Sequence, residues 1–442
     1  MRKNYRIGPL CTDLYELTMA AAYFQGNIRN EATFSLFVRP STNRNFYIAA
    51  GLETALNELS AFGFTDEECD YLKKTSLFSE KFIHFLSTLG FSGHVMAMPE
   101  GTIFFPDEPI MEVTAPIIEA QLVETLLLNI LGSHSLFATK GARCVHAAQG
   151  RPLVDFSLRR TQGQDAGLRV ARSTFISGFA GTSNLQAGRL FNIPVSGTMA
   201  HSYVTTYERE IDAFRAYSKV FPDNAVFLID TYDTIAGARK AAIVGQEMKQ
   251  QGHALKGVRL DSGDLLDLSN KVRKILDEVG LVDVHIFASG GLDEFKIEKL
   301  VKKGACIDAF GVGTAVGTSA DAPYLDIVYK LVRFYDRNIR KLSPGKQTLA
   351  GEKQVFRKLD ARGKMNADII GSRDERLKDT QPLLSQVMRH GKIVHNHPGL
   401  DEIQENCKSN LNALADRYKS INAARGFPVH LSKKLKHVQE EL

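Results

Sequence analysis

The chain has 442 residues, more than one hydrophobic core usually supports, so two or three domains are expected. Its hydrophobic fraction of 44% and charged fraction of 24% are typical of globular proteins and argue against disorder, collagen-like repeats and coiled coil. Lysines and arginines (55) exceed aspartates and glutamates (50) by a net charge of only +5. An excess this small is only weak evidence for binding to nucleic acid. It is equally compatible with binding to phosphorylated metabolites.

The cysteines and the first residues predict a cytoplasmic protein. The five cysteines are odd in number and widely separated, and they include no C-x-x-C pair, so neither a disulfide framework nor a zinc site is indicated. Residues 1–6 are basic and polar rather than apolar, and no run approaches the ~18 apolar residues of a membrane span. We therefore expect neither export nor membrane insertion.

The first 125 residues read as a mixed α+β domain. Asp13 and Glu16 stand at capping-box positions, and the apolar stripe that follows predicts a helix ending at Gly26. Residues 32–38 alternate like a half-buried strand, and helical patterns dominate from residue 48 to about 89.

The middle of the chain, residues 126–335, has the texture of an α/β barrel. Short apolar runs are each followed by small or polar residues and then by an amphipathic stretch of helical length. The run starts recur at roughly 25 to 40 residues, close to the length of one unit of an α/β barrel. The runs are 153–158, 193–196, 225–229, 257–260, 284–288 and 309–312. This rhythm predicts a parallel sheet in an irregular or incomplete barrel.

The last part of the chain, residues 336–442, is predicted to pack on the N-terminal domain. From about Val328 the sequence is strand-like and basic, with a turn at 343–346. After Gly371 it becomes polar and ends in a charged tail, which we interpret as a peripheral appendage.

Functional residues in parallel sheets collect at the carboxyl ends of the strands. Two glycine-rich turns follow the last two runs, Ser289-Gly290-Gly291 and then Gly313-Thr314. One such turn is more often an ordinary tight turn, but two in succession favour a phosphate site built from backbone N–H groups. The glycines at 311–317 miss the G-x-G-x-x-G spacing by one position, which argues against a dinucleotide-binding fold.

Charged residues after other runs add candidates of uneven weight. Arg159 is suited to clamp a phosphate or carboxylate, although a solvated turn is the plainer interpretation. Asp261 suits a sugar hydroxyl pair or a hydrated Mg²⁺, whereas Asp264 serves equally well as a helix cap. A lone histidine such as His201 is more often structural than catalytic, and the remaining histidines show no metal spacing. The turn around Asp230 faintly resembles that of type I phosphoribosyltransferases but lacks the adjacent acidic pair, so we set it aside.

Six ordered blocks between about Gly8 and Arg357 together resemble the nicotinate phosphoribosyltransferase family, a type II phosphoribosyltransferase group. The blocks are 12–19 (TDLYELTM), 155–160 (DFSLRR), 182–184 (TSN), 197–202 (GTMAHS), 258–265 (VRLDSGDL) and 310–314 (FGVGT). Residues 348–351 depart from the pattern, since relatives often carry proline before Gly351, and the region after Gly371 matches no part of it that we can place.

The resemblance implies that nicotinate and 5-phosphoribosyl 1-pyrophosphate give nicotinate mononucleotide and pyrophosphate, with Mg²⁺ as cofactor. It also implies coupling to ATP hydrolysis through a phosphohistidine at His201, and a homodimer with shared active sites. Tyr15 of the neighbouring subunit and Phe156 would cover the two faces of the pyridine ring, while Thr198 and Arg259 meet its carboxylate. Asp261 would bind the ribose, and the phosphates would be held by Arg159, Ser289, Gly290, Gly291, Gly313 and Thr314.

Two alternatives remain at this point. A catalytically inactive protein that binds a phosphorylated metabolite would use the same barrel, although His201, Arg259 and Asp261 favour the enzyme. If the chain is an enzyme, nicotinamide and quinolinate are the alternative substrates, but a quinolinate enzyme would require a larger basic cluster and no phosphohistidine.

Overall fold

The computed structural model describes residues 8–41, 43–343, 347–422 and 425–442. Residues 1–6, which bear on the expectation about export, and residues 344–346 of the predicted turn lie outside the described residues. The chain forms two compact units, one made of the residues up to Leu136 together with those from Tyr324 onward, the other of Phe137–Pro323. The sequence placed its boundaries at 125/126 and 335/336. The boundaries of the compact units, 136/137 and 323/324, differ from these because helix Glu124–Ala148 runs through the first predicted boundary and strand Ile327–Phe334 pairs with an N-terminal strand.

The chain up to the second unit is mostly helical, with short strands between the helices. In order, its elements are α1 Leu14–Gln25, β1 Glu31–Val38, β2 Tyr47–Ile48, α2 Leu52–Ser60, α3 Asp66–Thr75, α4 Glu80–Ser87, β3 His94–Ala97, β4 Ile103–Phe104, β5 Met111–Pro116, α5 Ile117–Leu122 and α6 Glu124–Ala148. The helix predicted to end at Gly26 and the helical region 48–89 are confirmed. The predicted capping box is wrong, because the Asp13 side chain makes no capping bond and the Glu16 side chain is buried, where it accepts a hydrogen bond from Gln121.

The second unit alternates strands and helices as the apolar runs predict. Its elements are β6 Leu153–Asp155, a 3₁₀ turn Leu158–Arg160, α7 Gln164–Ile176, β7 Gly181–Thr182, α8 Leu185–Phe191, α9 His201–Thr205, α10 Glu210–Val220, β8 Val226–Leu228, α11 Thr234–Gln250, β9 Gly257–Leu260, α12 Leu265–Glu278, β10 His285–Ala288, α13 Glu294–Lys302, β11 Ala309–Val312 and α14 Thr314–Gly317.

The last part of the chain returns to the first unit. Its elements are β12 Ile327–Phe334, β13 Arg337–Asn338, β14 Lys353–Leu359, β15 Met365–Ser372, β16 Gln381–Pro382, β17 Ser385–Arg389, β18 Lys392–Ile393, α15 Leu400–Ala413, α16 Asp416–Lys419, β19 Val429–Leu431 and α17 Lys433–Glu440.

The first unit is built on a seven-stranded antiparallel sheet with the order β13-β12-β1-β5-β3-β17-β18. The strand at 32–38 is confirmed as β1, but the expected half-burial is wrong, since every residue from Ala32 to Val38 is buried. The sequence alternates because one face of this strand packs against polar groups. Thr33 lies 2.9 Å from the Thr114 hydroxyl, and Ser35 donates to Glu112, a buried carboxylate that also pairs with Lys353.

The polar C-terminal region is not a peripheral appendage. Strand β17 pairs with β3, and its Val387 and Met388 are fully buried in the main core of the unit together with Leu383 and Leu384. A few apolar residues in a polar stretch are enough to complete a sheet when their partners come from the other end of the chain.

The second unit contains a six-stranded sheet with the order β7-β6-β11-β10-β9-β8, in which every pair is parallel. Five of the six predicted runs contain its strands. The run at 193–196 does not, because Pro194 lacks a backbone N–H and only Val195 forms a bridge, to Thr182 at the sheet edge. No strand pairing joins β7 to β8 within the described residues, so the irregular or incomplete α/β barrel is confirmed.

In both units, among all the residues that the structure describes, no helix has the length and apolar character needed to cross a membrane.

Candidate active site

A cleft of about 410 Å³ opens at the carboxyl ends of the parallel strands of the second unit. Six of the residues expected from the sequence line it, namely Phe156, Arg159, Thr198, His201, Arg259 and Asp261. They come from three separate segments between residues 156 and 261. The parallel sheet brings them together because the carboxyl ends of its strands share one edge.

Phe156 is fixed at the end of β6 by packing on the neighbouring strand. Its backbone N–H donates to the Val312 carbonyl at 2.9 Å, and a Cβ at Gly311 would lie 2.5 Å from its ring. The preceding Asp155 is buried and accepts hydrogen bonds from Ser157 N (2.9 Å) and Thr182 Oγ1 (2.8 Å), while burial raises the pKa of its carboxyl. The hydrogen bonds of the buried Asp155 therefore fix the turn that carries Phe156 and Arg159.

Arg259 and Thr198 form the part of the cleft best suited to a carboxylate. The Arg259 Nη1 donates to Thr198 Oγ1 at 2.6 Å, whereas its Nε is buried without a hydrogen-bond partner. Burial lowers the pKa of this guanidinium, with Asp261 and Asp230 opposing the shift. A planar cation with an unsatisfied donor favours an anionic ligand.

Asp230 accepts the hydrogen bonds that position the acidic side of the cleft. We assigned no role to its segment from the sequence. Its Oδ2 accepts hydrogen bonds from Asp261 N (2.9 Å) and Ser262 Oγ (2.6 Å), and the Ser289 hydroxyl donates to Asp261 Oδ1 at 2.5 Å. Asp264 instead caps α12 through Leu266 N and Asp267 N. The signal for Asp230 was its place directly after the third apolar run.

The turn at Gly290 brings β10 against the Asp261 backbone. Gly290 has φ +88°, and a Cβ built there would lie 1.7 Å from the Asp261 carbonyl oxygen. Only glycine permits both this conformation and this approach. Gly291 also has a positive φ of +61°, and its carbonyl accepts a hydrogen bond from Lys296 Nζ at 2.6 Å.

The second glycine turn follows the neighbouring strand. Gly313 and Thr314 come directly after β11, which pairs with β10, so both turns lie at the same edge of the sheet. Together with Ser289, Gly290 and Gly291, they lie beside the cleft and are not among the described residues that line it.

His201 begins the short helix α9 and faces two groups. Its Nδ1 lies 3.1 Å from Thr231 Oγ1, and its Nε2 lies 3.9 Å from Asp261 Oδ2. Like Asp230, Thr231 lies in the turn after the third apolar run, to which we assigned no role from the sequence. Ser183, which also lines the cleft, belongs to the block 182–184 but had been given no role.

Tyr15 belongs to the first unit, whereas the other expected site residues belong to the second unit. Its side chain is 47% exposed on α1, and Leu14 and Met19 of the same helix are 55% and 37% exposed. Its hydroxyl donates to Glu124 Oε1 at 3.4 Å.

The acidic side of the cleft fits a hydrated Mg²⁺ bound with a phosphorylated substrate. Asp230 Oδ1 is buried and has no hydrogen-bond partner, and the Asp261 carboxylate lies on the same side of the cleft. Mg²⁺ is commonly bound by one or two carboxylates together with water and substrate phosphates. No cluster of three or more His, Cys, Asp or Glu that could hold a metal occurs in the described residues, which argues against a cage made only of protein ligands.

The chain matches family models along most of its length. The models are described as the nicotinate phosphoribosyltransferase N-terminal domain, family and C-terminal domain, and they match residues 10–132, 152–360 and 376–439. The last match extends the similarity beyond Gly371, where the sequence had given no recognisable pattern.

Similar proteins of known name or structure agree with these matches. "Nicotinate phosphoribosyltransferase pncB2" of Mycobacterium tuberculosis is 42% identical over 438 residues, covering 98% of this chain and 94% of the relative. The nicotinate phosphoribosyltransferase of Bacillus subtilis is 39% identical over 455 residues, covering 96% and 92%. The crystal structure of human nicotinic acid phosphoribosyltransferase superposes with a TM-score of 0.87 at 28% identity, covering 98% of this chain and 99% of that one.

Proposed function

The chain belongs to the nicotinate phosphoribosyltransferase family, and we propose that the cleft at Arg259 and Asp261 is its active site. The activity is transfer of a phosphoribosyl group to nicotinate, a step of NAD salvage. The observation that supports the site most directly is the half-buried Arg259, which donates to Thr198 and whose buried Nε has no hydrogen-bond partner; Phe156 lines the same cleft. This group offers a carboxylate anchor next to an aromatic face.

We propose that the site works mainly by alignment. The pyridine nitrogen of nicotinate is already nucleophilic, so it needs no general base. Phe156 stacks on the ring and Arg259 with Thr198 holds the carboxylate, which directs the nitrogen at C1 of the ribose. Asp261 receives the ribose hydroxyls, and the hydrogen bond from Ser289 keeps its carboxylate oriented.

Breaking the bond to pyrophosphate leaves a cation-like ribose and an anionic leaving group. Arg159 and the backbone of the turns at Gly290, Gly291, Gly313 and Thr314 bind the phosphate oxygens in this proposal. When bound, Mg²⁺ supplies positive charge to the departing pyrophosphate. Asp230 and Asp261 would hold it, since Asp261 lines the cleft and the adjacent Asp230 has an Oδ1 without a hydrogen-bond partner.

Comparison of three substrates tests the assignment. With 5-phosphoribosyl 1-pyrophosphate in excess, nicotinate should react with a kcat/KM at least ~100-fold above that for nicotinamide, because a bound amide covers the Arg259 charge without pairing it. Quinolinate should also be poor. Faster turnover of nicotinamide or quinolinate, measured by separation of the mononucleotides, would contradict nicotinate specificity.

We propose that ATP hydrolysis is coupled to the transfer through phosphorylation of His201. Its imidazole lies at the cleft wall between Thr231 and Asp261, within reach of a nucleotide phosphate bound at the same strand ends. The alternative is that His201 has only a structural role, through its hydrogen bond with Thr231 at the strand end.

His201→Ala separates these interpretations. We expect the variant to lose stimulation by ATP and ATP-dependent phosphate release, while slow phosphoribosyl transfer continues because Phe156, Arg159 and Arg259 are unchanged. Wild-type protein treated with γ-labelled ATP should carry a label that survives alkali and is lost in mild acid. A folded His201→Ala protein that is still labelled and still stimulated by ATP would overturn the assignment.

We propose a homodimer with shared sites, in which Tyr15 of one subunit covers nicotinate in the cleft of the other. The support is that Tyr15 lies on an exposed apolar face of α1, with Leu14 and Met19, in the unit that does not contain the cleft. We also propose a cytoplasmic location, which agrees with five cysteines that are all free.

A further inference from the structure

The first turn of α6 contacts the start of α1 and the two residues before it through three hydrogen bonds. Thr125 Oγ1 accepts hydrogen bonds from Thr12 Oγ1 (3.3 Å) and from Asp13 N (3.5 Å), and Tyr15 Oη donates to Glu124 Oε1 at 3.4 Å. Each bond is near the upper limit of length, so none is strong alone. Acting together, two adjacent residues of α6 fix the position of the residues that lead into α1.

We propose that Glu124 is a positioning residue for Tyr15, holding the phenol so that the ring presents one face to nicotinate. This inference rests on the proposed function, in which Tyr15 covers the pyridine ring. An aromatic side chain that is 47% exposed samples several rotamers, and stacking must overcome that freedom. A hydrogen bond at the far end of the ring, from a helix that starts in the same unit, restricts the ring before the substrate arrives.

The surroundings of Glu124 make this hydrogen bond sensitive to pH. Burial raises the pKa of the Glu124 carboxyl to about 7, and the nearby Glu16 carboxylate acts in the same direction. The groups that act on or respond to this carboxyl are Glu16, Asp13 and Tyr15 near the start of α1, and Lys330 and Tyr329 on β12. Lys330 and the Tyr15 hydrogen bond oppose the rise. An ionised carboxylate is a stronger acceptor than a neutral one, so Tyr15 is held more firmly as pH rises through 7.

The KM for nicotinate between pH 6 and pH 8.5 tests the proposal, in wild type, Glu124→Gln, Tyr15→Phe and the double variant. We expect the wild-type KM to fall roughly three- to tenfold as pH rises, the range of one hydrogen bond to a charged group that is partly exposed. Both single variants should show the higher KM with little pH dependence, and Glu124→Gln should leave kcat unchanged. Glutamine keeps a neutral acceptor and phenylalanine removes the donor, so both changes act on one bond and the double variant should match Tyr15→Phe.

Tyr15→Ala separates failure of this inference from failure of the proposed site. If Tyr15→Ala leaves the KM for nicotinate unchanged, Tyr15 does not cover the substrate and the proposed role is wrong. If Tyr15→Ala raises KM but Glu124→Gln follows the wild-type pH profile, only the positioning role of Glu124 is overturned. Other titrating groups of the site are common to all the proteins, so the difference between profiles reports on Glu124.

Stability of Glu124→Gln provides the folding control. The folded pKa of about 7 lies above the ordinary 4.5, so protonation stabilises the folded state below pH 4.5, and this contribution is lost as pH rises through 7. Glutamine carries no charge, and we therefore expect a Tm at pH 8 no lower than that of wild type. Should the Tm fall, Tyr15→Phe, which leaves the acidic groups in place, decides the proposal by its KM alone.

Discussion

Replacing Arg259 with methionine should lower kcat/KM for nicotinate by ~100- to 1,000-fold, because a charge-assisted anchor that the ligand covers is worth ~2–5 kcal/mol when one partner is removed. The loss should appear mainly in the KM for nicotinate, with the KM for 5-phosphoribosyl 1-pyrophosphate little changed. The fold should tolerate the change. Burial disfavours the charge of Arg259 and its Nε has no hydrogen-bond partner, whereas the charges of Asp261 and Asp230 favour it, so an apolar side chain of similar length is expected to leave the Tm close to that of wild type.

Arg259→Lys and Thr198→Val are the matched controls for the Arg259 substitution. Lysine keeps the charge but lacks the planar pair of donors, so an intermediate loss is expected. Thr198→Val removes only the hydroxyl that accepts from Nη1, and should cost ~1 kcal/mol, about fivefold. Equal losses for nicotinate and nicotinamide in Arg259→Met would show that the guanidinium does not read the carboxylate.

The same Arg259 variant tests the shared site. Mixed with Tyr15→Ala protein and allowed to exchange subunits, it should recover roughly a quarter of wild-type activity, since half of the pairs are mixed and each mixed pair has one intact site. No recovery after exchange has been verified would place both residues in one subunit's site or remove Tyr15 from it.

Gly290→Ala should abolish most of the activity and destabilise the second unit. The left-handed conformation at φ +88° costs an alanine ~1 kcal/mol, and the clash of Cβ with the Asp261 carbonyl adds ~3 kcal/mol because backbone cannot move aside easily. A loss of ~4 kcal/mol corresponds to a Tm lower by ~8–16 °C for a domain of this size. Displacing Asp261 by even ~1 Å should also cost at least ~100-fold in kcat/KM for 5-phosphoribosyl 1-pyrophosphate.

Gly252→Ala is the matched control for Gly290→Ala. Gly252 has a similar φ of +83°, but no atom lies within 4 Å of a Cβ built there. Its substitution should therefore cost only the ~1 kcal/mol of backbone strain and leave the kinetics unchanged. If the two glycine variants match in Tm and in kinetics, the close approach of Gly290 to Asp261 is not what the turn requires.

Several parts of the fold could be predicted because they depend on local patterns. The runs at 257–260 and 309–312 are strands with the same bounds, and the stripe up to Phe24 is a helix, because hydrophobic periodicity reports burial directly. Local patterns failed where partners decide the outcome. Strand β1 is buried on both faces because Glu112 satisfies Ser35, and no alternation within 32–38 reveals that partner.

The parallel sheet, the glycine turns and the types of reactive side chain could be predicted from the sequence alone, since strand periodicity and glycine at tight turns depend on neighbouring residues. Which carboxylates act together depends on the packing of the folded chain. Asp230 and Asp261 are 31 residues apart and meet because β8 and β9 are adjacent and parallel, so that Asp230 accepts from the backbone of Asp261. The same holds for Glu124, which lies 109 residues from Tyr15 and reaches it only through the packing of the first unit. Contacts of this kind depend on strand order and helix packing, which are set by the burial of the whole core rather than by any one segment.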